Sequence, residues 1–247
     1  MLPPRFPFLP IWIFCALAVS MAGCGGSSQS TFDSYDGTRR LPTTQTIPHP
    51  DSLRNVQLVS DPDSVKITLD RSYGDIVQDW SAQVGASGPF RPYPFNTFAT
   101  LQSRELTLAS LARRERIRTL TPDRARKRVE ETLETYQKTI AFRVHLYIDA
   151  RRISAPLSTL RKRVVATLSV NGEETFDALR TQKSNIQLTS RGGGNVYQYP
   201  ITVYFRRHVD GRDLLMEGTR FVLSVRPFPT LTELYFEWQR SENKRSG

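Results

Sequence analysis

From Ala141 onward the hydrophobic pattern repeats every second residue, and this constrains the chain more than any other feature. Phe142, Val144, Leu146 and Ile148 alternate with Arg143, His145, Tyr147 and Asp149. A period of two puts the two sets on opposite faces of an extended strand, one apolar and one polar. The same alternation returns over Arg163 to Val170, Ile186 to Ser190, Val196 to Arg206, Thr219 to Val225 and Leu231 to Trp238. The gaps carry turn chemistry. Asn171-Gly172 and Asp210-Gly211 tolerate the positive φ that tight hairpins require, and Gly192-Gly193-Gly194 reads as another turn. In Val196 to Arg206, Tyr197, Tyr199, Ile201, Val203 and Phe205 share one face, and Pro200, which lacks an N–H, predicts an edge or a bulge. So many short strands separated by turns predict an antiparallel β-sandwich or a strongly twisted sheet.

Ahead of this lies a helical region. Arg104 to Leu120 reads as one helix, with Leu108, Leu111 and Leu120 as candidate buried positions. Thr121-Pro122-Asp123 opens a second, with Thr121 as N-cap accepting a backbone N–H and Pro122 at the first helical position. Val129, Leu133, Tyr136 and Ile140 follow at steps of four, three and four, one helix stripe, and Glu134 with Lys138 makes a favourable i,i+4 pair. Further upstream, Asn55 to Ser60 and Val65 to Asp70 flank the turn Asp61-Pro62-Asp63-Ser64 and predict a hairpin. Asp75 to Val84 has no clear period. Gly85 to Asn96 sets Pro89, Pro92 and Pro94 among Phe90, Tyr93 and Phe95, which predicts an aromatic-pinned loop or a binding loop. The fold class expected is α+β, with two helical segments over about 104–140 packed on the β-structure.

The N-terminus carries an address. Ile11 to Val19 is an apolar run too short to cross a bilayer as a mature helix, with small residues after it, and it reads as a secretory signal. Met21-Ala22-Gly23-Cys24 directly behind it resembles the lipobox of bacterial lipoproteins, with Met in place of the usual Leu and only Arg5 as a basic residue upstream. The resemblance covers about the first 25 residues. It implies cleavage before Cys24, a diacylglyceryl group on its thiol and acylation of the new amino group, so that the membrane is the first partner. Two or three acyl chains anchor firmly, since each buried CH₂ contributes roughly 0.8 kcal/mol. Gly25, where Asp would favour inner-membrane retention, implies the outer membrane facing the periplasm, with exposure at the cell surface left open. The domain organisation expected is a signal peptide over 1–23, a lipidated Cys with a disordered tether over 24–52, one globular domain over 53–240 and a frayed tail over 241–247. The tether is rich in Gly, Ser, Thr and Pro and would hold the domain on the order of 30 Å from the membrane.

With Cys15 lost and Cys24 lipidated, no thiol would remain for a disulfide, a metal or nucleophilic catalysis. The three histidines, His49, His145 and His208, form no HExxH, and the chain contains no GxSxG and no phosphate loop. No metal or cofactor is expected. Charge is the remaining constellation. The chain has 34 Lys and Arg against 24 Asp and Glu. Between Arg113 and Arg163 the balance is 15 to 6. The candidate anion-binding residues are Arg113, Arg114, Arg116 and Arg118, then Arg124, Arg126, Lys127 and Arg128 at the start of the second helix. Cations there oppose the macrodipole at a cost of a few tenths of a kcal/mol each. The bland reading is a solvated helix face paired with Glu130, Glu131 and Glu134. The functional one is a surface for anionic lipid, lipopolysaccharide or an acidic envelope protein. Nucleic acid is not expected, because the run lacks stacking aromatics and the address is extracytoplasmic. These features predict a non-enzymatic binding or assembly module of the envelope. The alternatives are a periplasmic hydrolase acting on envelope polymers, for which His145 and Asp149 would serve, and a small-ligand carrier.

Overall fold

The computed structural model describes residues 41–84, 97–114, 117, 120–149, 164–191, 194–226 and 233–241. All belong to one compact unit, Thr31–Gly247. The signal run, the lipobox, most of the expected tether, the aromatic-proline loop 85–96 and the residues after 241 lie outside the described residues.

The fold is α+β and mostly strand. Strands β1 (Thr44–Ile47), β7 (Val165–Val170), β8 (Glu174–Asp177), β14 (Arg220–Arg226) and β15 (Leu234–Arg240) form a five-stranded sheet in the order β1-β15-β14-β7-β8. Its pairs are antiparallel except β1, which runs parallel to β15. A second sheet, in the order β10-β11-β6-β5-β4, uses β4 (Ser81–Gln83), β5 (Phe98–Leu101), β6 (Thr139–Asp149), β10 (Gln187–Arg191) and β11 (Gly194–Arg206), with β9 (Arg180–Lys183) also on β11. Two hairpins complete the β-structure, β2 (Val56–Asp61) with β3 (Ser64–Leu69), and β12 (His208–Val209) with β13 (Arg212–Asp213).

The helices are α1 (Tyr73–Asp79), α2 (Arg104–Arg114), α3 (Pro122–Lys138) and the single turn α4 (Leu214–Glu217). Ser103 caps α2 by accepting from Leu106 N at 3.1 Å, and Leu108 and Leu111 are buried as expected. Thr121 does take the N-cap position of α3, but its side chain makes no capping bond. The stripe holds at Val129 and Tyr136, with Ala125 added. Ile140, expected at its end, is instead the second residue of β6 and fully buried there. Helices α2 and α3 contact each other and β3, and α3 also reaches β6.

Inward residues of both sheets enter one hydrophobic cluster. Phe142 of β6 lies 4.9 Å from the Trp238 ring of β15 and meets Phe205 of β11 edge-on at 5.9 Å. Trp238 Nε1 donates to the Trp80 carbonyl at 3.0 Å, so even this polar tip is satisfied in the core.

Three expectations need correction. The fold begins before residue 53: Leu41 is buried, and Thr44–Ile47 is a strand with Ile47 fully buried. The strand β11 is not an edge, since it has neighbours on both sides. Its partner strand is interrupted instead, with β10 covering Gly194–Gln198 and β9 covering Ile201–Tyr204. Pro200 falls in the gap and uses its carbonyl there, accepting from Ser184 N at 3.0 Å. The missing N–H therefore faces the break and not the continuous β6 pairing. Finally, the polar face of β6 is not open along its length: His145 and Tyr147 are buried like Val144 and Leu146.

Candidate cationic site on the third helix

Helix α3 enters with four cations in its first two turns, and packing sorts them into different tasks. Arg126 is held: Nη1 pairs with Asp123 at 3.1 Å, and Nη2 donates to the carbonyls of Asp61 and Pro62 at 3.1 and 3.2 Å, clasping the β2–β3 turn against the helix. Arg128 pairs with Glu131 at 3.4 Å. Arg124 and Lys127 are exposed, with no ion pair among the described residues. On α2, the Arg113 guanidinium lies 5.0 Å from the centre of the Tyr73 ring. The Arg114 side chain, Arg116 and Arg118 lie outside the described residues, as do Arg151, Arg152, Arg161, Lys162 and Arg163. The structure thus brings Arg124, Arg126, Lys127 and Arg128 together, and leaves two of them, Arg124 and Lys127, without an ion pair among the described residues. Glu134 and Lys138 pair at 2.5 Å further along.

Between α2, α3, β6 and β11 runs a groove of about 390 Å³. Arg128 and Thr135 line it from α3, Ser110 from α2, Arg143 from β6, and Thr202 and Tyr204 from β11. Thr132, Thr135 and Thr139 each donate to the carbonyl four residues back, at 2.7, 3.1 and 2.9 Å. Their protons are committed to the backbone, so they offer the groove acceptor lone pairs, while the two arginines offer donors.

His145 is not the accessible group on an open polar face that alternation allowed. It is 2% exposed and lies flat on Phe98, centroids 4.4 Å apart and planes 6° apart. Burial, with help from the charge of Arg143, pushes its pKa well below the usual histidine value, so the ring is neutral near pH 7. The Asp149 side chain lies outside the described residues. His49 sits in the turn after β1, and His208 is 3.5 Å from Asp213.

Sequence reasoning passed over the buried polar groups. Arg207, at the end of β11, donates through Nε and Nη2 to Asp213 at 2.8 to 3.0 Å and through Nη1 to the Tyr136 carbonyl at 3.3 Å. Its guanidinium carbon lies 4.9 Å from the centre of the Tyr136 ring. The Tyr136 hydroxyl donates to Asp51 at 2.7 Å. Burial first, then the Asp51 carboxylate, raises the Tyr136 pKa far above its ordinary value. Asp213 feels opposing pulls: burial pushes its carboxyl up, but the hydrogen bond and charge of Arg207 outweigh this and hold it below the usual carboxylate value. Glu105, 1% exposed on α2, accepts from Asn55 N at 2.5 Å, Asn55 Nδ2 at 3.1 Å and Trp80 Nε1 at 3.1 Å. No periodicity marks such residues in advance: apart from Arg207 with Asp213, six positions apart, the partners lie 25 to 85 positions away in the chain.

Among the described residues, no group of three or more His, Cys, Asp and Glu could hold a metal ion, and no helix is long and apolar enough to cross a membrane. No protein-family model, no curated protein and no solved structure matches the chain.

Proposed function

We propose that this protein is a bacterial envelope lipoprotein, anchored through Cys24 and acting as a non-enzymatic binding or assembly module whose partner is anionic. In this reading it sits at the outer membrane facing the periplasm, and the two sheets face each other as a sandwich that carries α2 and α3. The anchor rests on Met21-Ala22-Gly23-Cys24 behind a short apolar run. One observation carries the binding role. Arg124 and Lys127 stand exposed at the helix start, against the macrodipole, while Arg126 and Arg128 beside them are paired within the chain. Their placement adds nothing to the fold and suits an anionic lipid, lipopolysaccharide or an acidic envelope protein. The hydrolase alternative leaned on His145, which is buried against Phe98.

The test is co-sedimentation with vesicles containing anionic phospholipid or lipopolysaccharide. Replacing Arg124 and Lys127 with Gln should shift stability by less than about 0.5 kcal/mol, as for other exposed sites. Vesicle binding should weaken severalfold. Binding of the parent should fall as salt rises from about 0.1 to 1 M, where the Debye length shrinks from about 10 to about 3 Å. A parent that ignores both surfaces at low salt would leave α3 as a solvated face.

A further inference from the structure

A second cavity, of about 720 Å³, opens between the turn that follows β1 and the end of β15. His49, Ser52 and Arg54 line one side, and Thr219, Arg240 and Ser241 the other. Backbone bonds build both walls. Ser52 N donates to the His49 carbonyl at 2.9 Å, Arg240 N to Thr219 at 2.7 Å, and Ser241 N to Ile47 at 2.9 Å. The chemistry of the lining is one-sided: two guanidiniums, an imidazole and three hydroxyls, with no carboxylate. The nearby Asp51 carboxylate is taken up by the Tyr136 hydroxyl.

Arg240 differs from buried Arg207, which is matched by Asp213 at 2.8 Å, and from exposed Arg220, which is matched by Glu237 at 2.8 Å. Arg240 donates only to backbone carbonyls, those of Met216 at 2.6 Å and Gly218, and has no ion pair among the described residues. Burial holds its pKa below the usual arginine value, the direction taken by a charge whose counter-ion is missing. Arg54 is exposed and also without an ion pair among the described residues. The Ser52 hydroxyl is buried without a hydrogen-bond partner. Rotation about a single bond turns it toward an incoming oxygen. His49 Nδ1 accepts from Asp51 N at 3.3 Å, which leaves Nε2 as the protonated donor.

We propose that this cavity binds a phosphate group, carried on a small molecule or on a lipid head group, with Arg240 and Arg54 balancing its charge and Ser52 and His49 donating to its oxygens, the Thr219 hydroxyl being already committed to Asn171 Oδ1 at 3.0 Å. A carboxylate is satisfied by one bidentate arginine, whereas donors arriving from two walls suit a tetrahedral anion with three or four acceptor oxygens. The volume falls within the roughly 300 to 1,000 Å³ of small-ligand pockets, leaving room for the group that carries the phosphate. This site shares no residue with the α3 surface and stands or falls independently of it.

The experiment is calorimetric titration of the full-length protein in detergent with inorganic phosphate and with pyrophosphate, alongside co-sedimentation with phosphatidylcholine vesicles with and without phosphatidic acid. Saturable binding of either soluble anion is expected, weakened at least tenfold by Arg54→Gln with an unchanged melting temperature. Arg240→Gln should abolish it, with circular dichroism confirming that the variant is folded. The Arg124→Gln, Lys127→Gln double variant should bind phosphate like the parent. Retention on phosphatidic acid that Arg54→Gln removes assigns a lipid head group, and soluble binding without such retention assigns a soluble phosphorylated ligand. If neither anion binds and retention is indifferent to Arg54, or if Arg54→Gln binds as tightly as the parent, the proposal is overturned.

Discussion

At the scale of single residues, the fold depends most on polar groups that have lost water and found one another. Arg207 has a side chain only 6% exposed, and Asp213 is its nearest counter-ion, with Asp51 at 4.0 Å behind. Asp213→Asn keeps an oxygen for the N–H groups of Leu215 and Met216, which Asp213 caps at 3.1 and 3.2 Å, but leaves the guanidinium underpaired. The expected loss is about 3 kcal/mol, read as a shift in urea midpoint. The pH dependence has a definite sign. The folded pKa of Asp213 is below its unfolded value, so its contribution is complete above about pH 3.9 and disappears as pH falls through the folded pKa. Asp213→Asn should flatten that part of the acid limb, and an unchanged slope would place the acid sensitivity elsewhere. Asn171 shows how a turn residue does more than turn. It and Gly172 take φ of 56° and 79°, as an Asn-Gly pair is expected to. Its Oδ1 also accepts from Thr219 N at 2.8 Å and Arg220 N at 3.2 Å, tying the β7–β8 loop to the start of β14. Asn171→Gly preserves the backbone conformation and removes only that tie. The Thr219 hydroxyl donates to the same oxygen at 3.0 Å, and all three donors are near water, so the cost should be about 1 kcal/mol. Asn171→Ala should cost roughly 1 kcal/mol more, because it adds the left-handed strain. Thermal melts of the two variants separate the effects.

At the scale of elements, legibility followed the reach of the interaction. The hairpin β2–β3, helix α3, and strands β6, β7, β11 and β14 were visible because one face of each is apolar at a fixed period, and a period is a local property. Their boundaries shifted where a neighbour decided them, as when β6 began at Thr139 and claimed Ile140 from the helix stripe. Strand β1 was invisible for the same reason. Thr44-Gln45-Thr46-Ile47 follows a polar stretch and has one strongly apolar residue, and it is ordered by four pairs of parallel register shared with β15, from Thr44 opposite Glu237 to Ile47 opposite Arg240. Pro200 likewise warned of a discontinuity without saying that the partner strand would carry it. The candidate site was legible as a run of cations, but the division between clasping Arg126 and exposed Arg124 depends on the Asp61 and Pro62 carbonyls, more than 60 positions away. If β1 is integral, Ile47→Ala should cost about 2–5 kcal/mol, the range for emptying a fully buried aliphatic site. A midpoint within about 0.5 kcal/mol of the parent would mean that the strand is an ornament on the sheet and that the tether does extend to Pro50.

At the scale of the whole molecule, the early start of the fold changes what an anchor at Cys24 would hold. The chain enters the five-stranded sheet at β1, an outer strand whose only sheet neighbour among the described residues is β15. Any tether therefore ends by Leu41, which is buried, and the phosphate-sized cavity lies just past β1, on the turn His49 to Ser52. Lipidation would thus hold that end of the domain nearest the attachment point along the chain. The fold itself does not need the anchor, since its main core is one cluster drawn from both sheets and from α1 to α4, with a small second cluster of Leu41, Phe98 and Tyr147. Cys24→Ser should therefore separate address from structure. Metabolic labelling with a fatty acid should mark the parent and not the variant. The variant should remain unprocessed or appear as a soluble exported chain, with the parent's melting temperature. Each acyl chain lost removes roughly 0.8 kcal/mol of membrane affinity per buried CH₂, so fractionation should move the processed domain from membrane to soluble pool. Equal fatty-acid label in Cys24→Ser would sink the lipoprotein reading, and with it the expectation that the protein acts at a membrane surface, while leaving the phosphate titration of the β1–β15 cavity still to be decided on its own evidence.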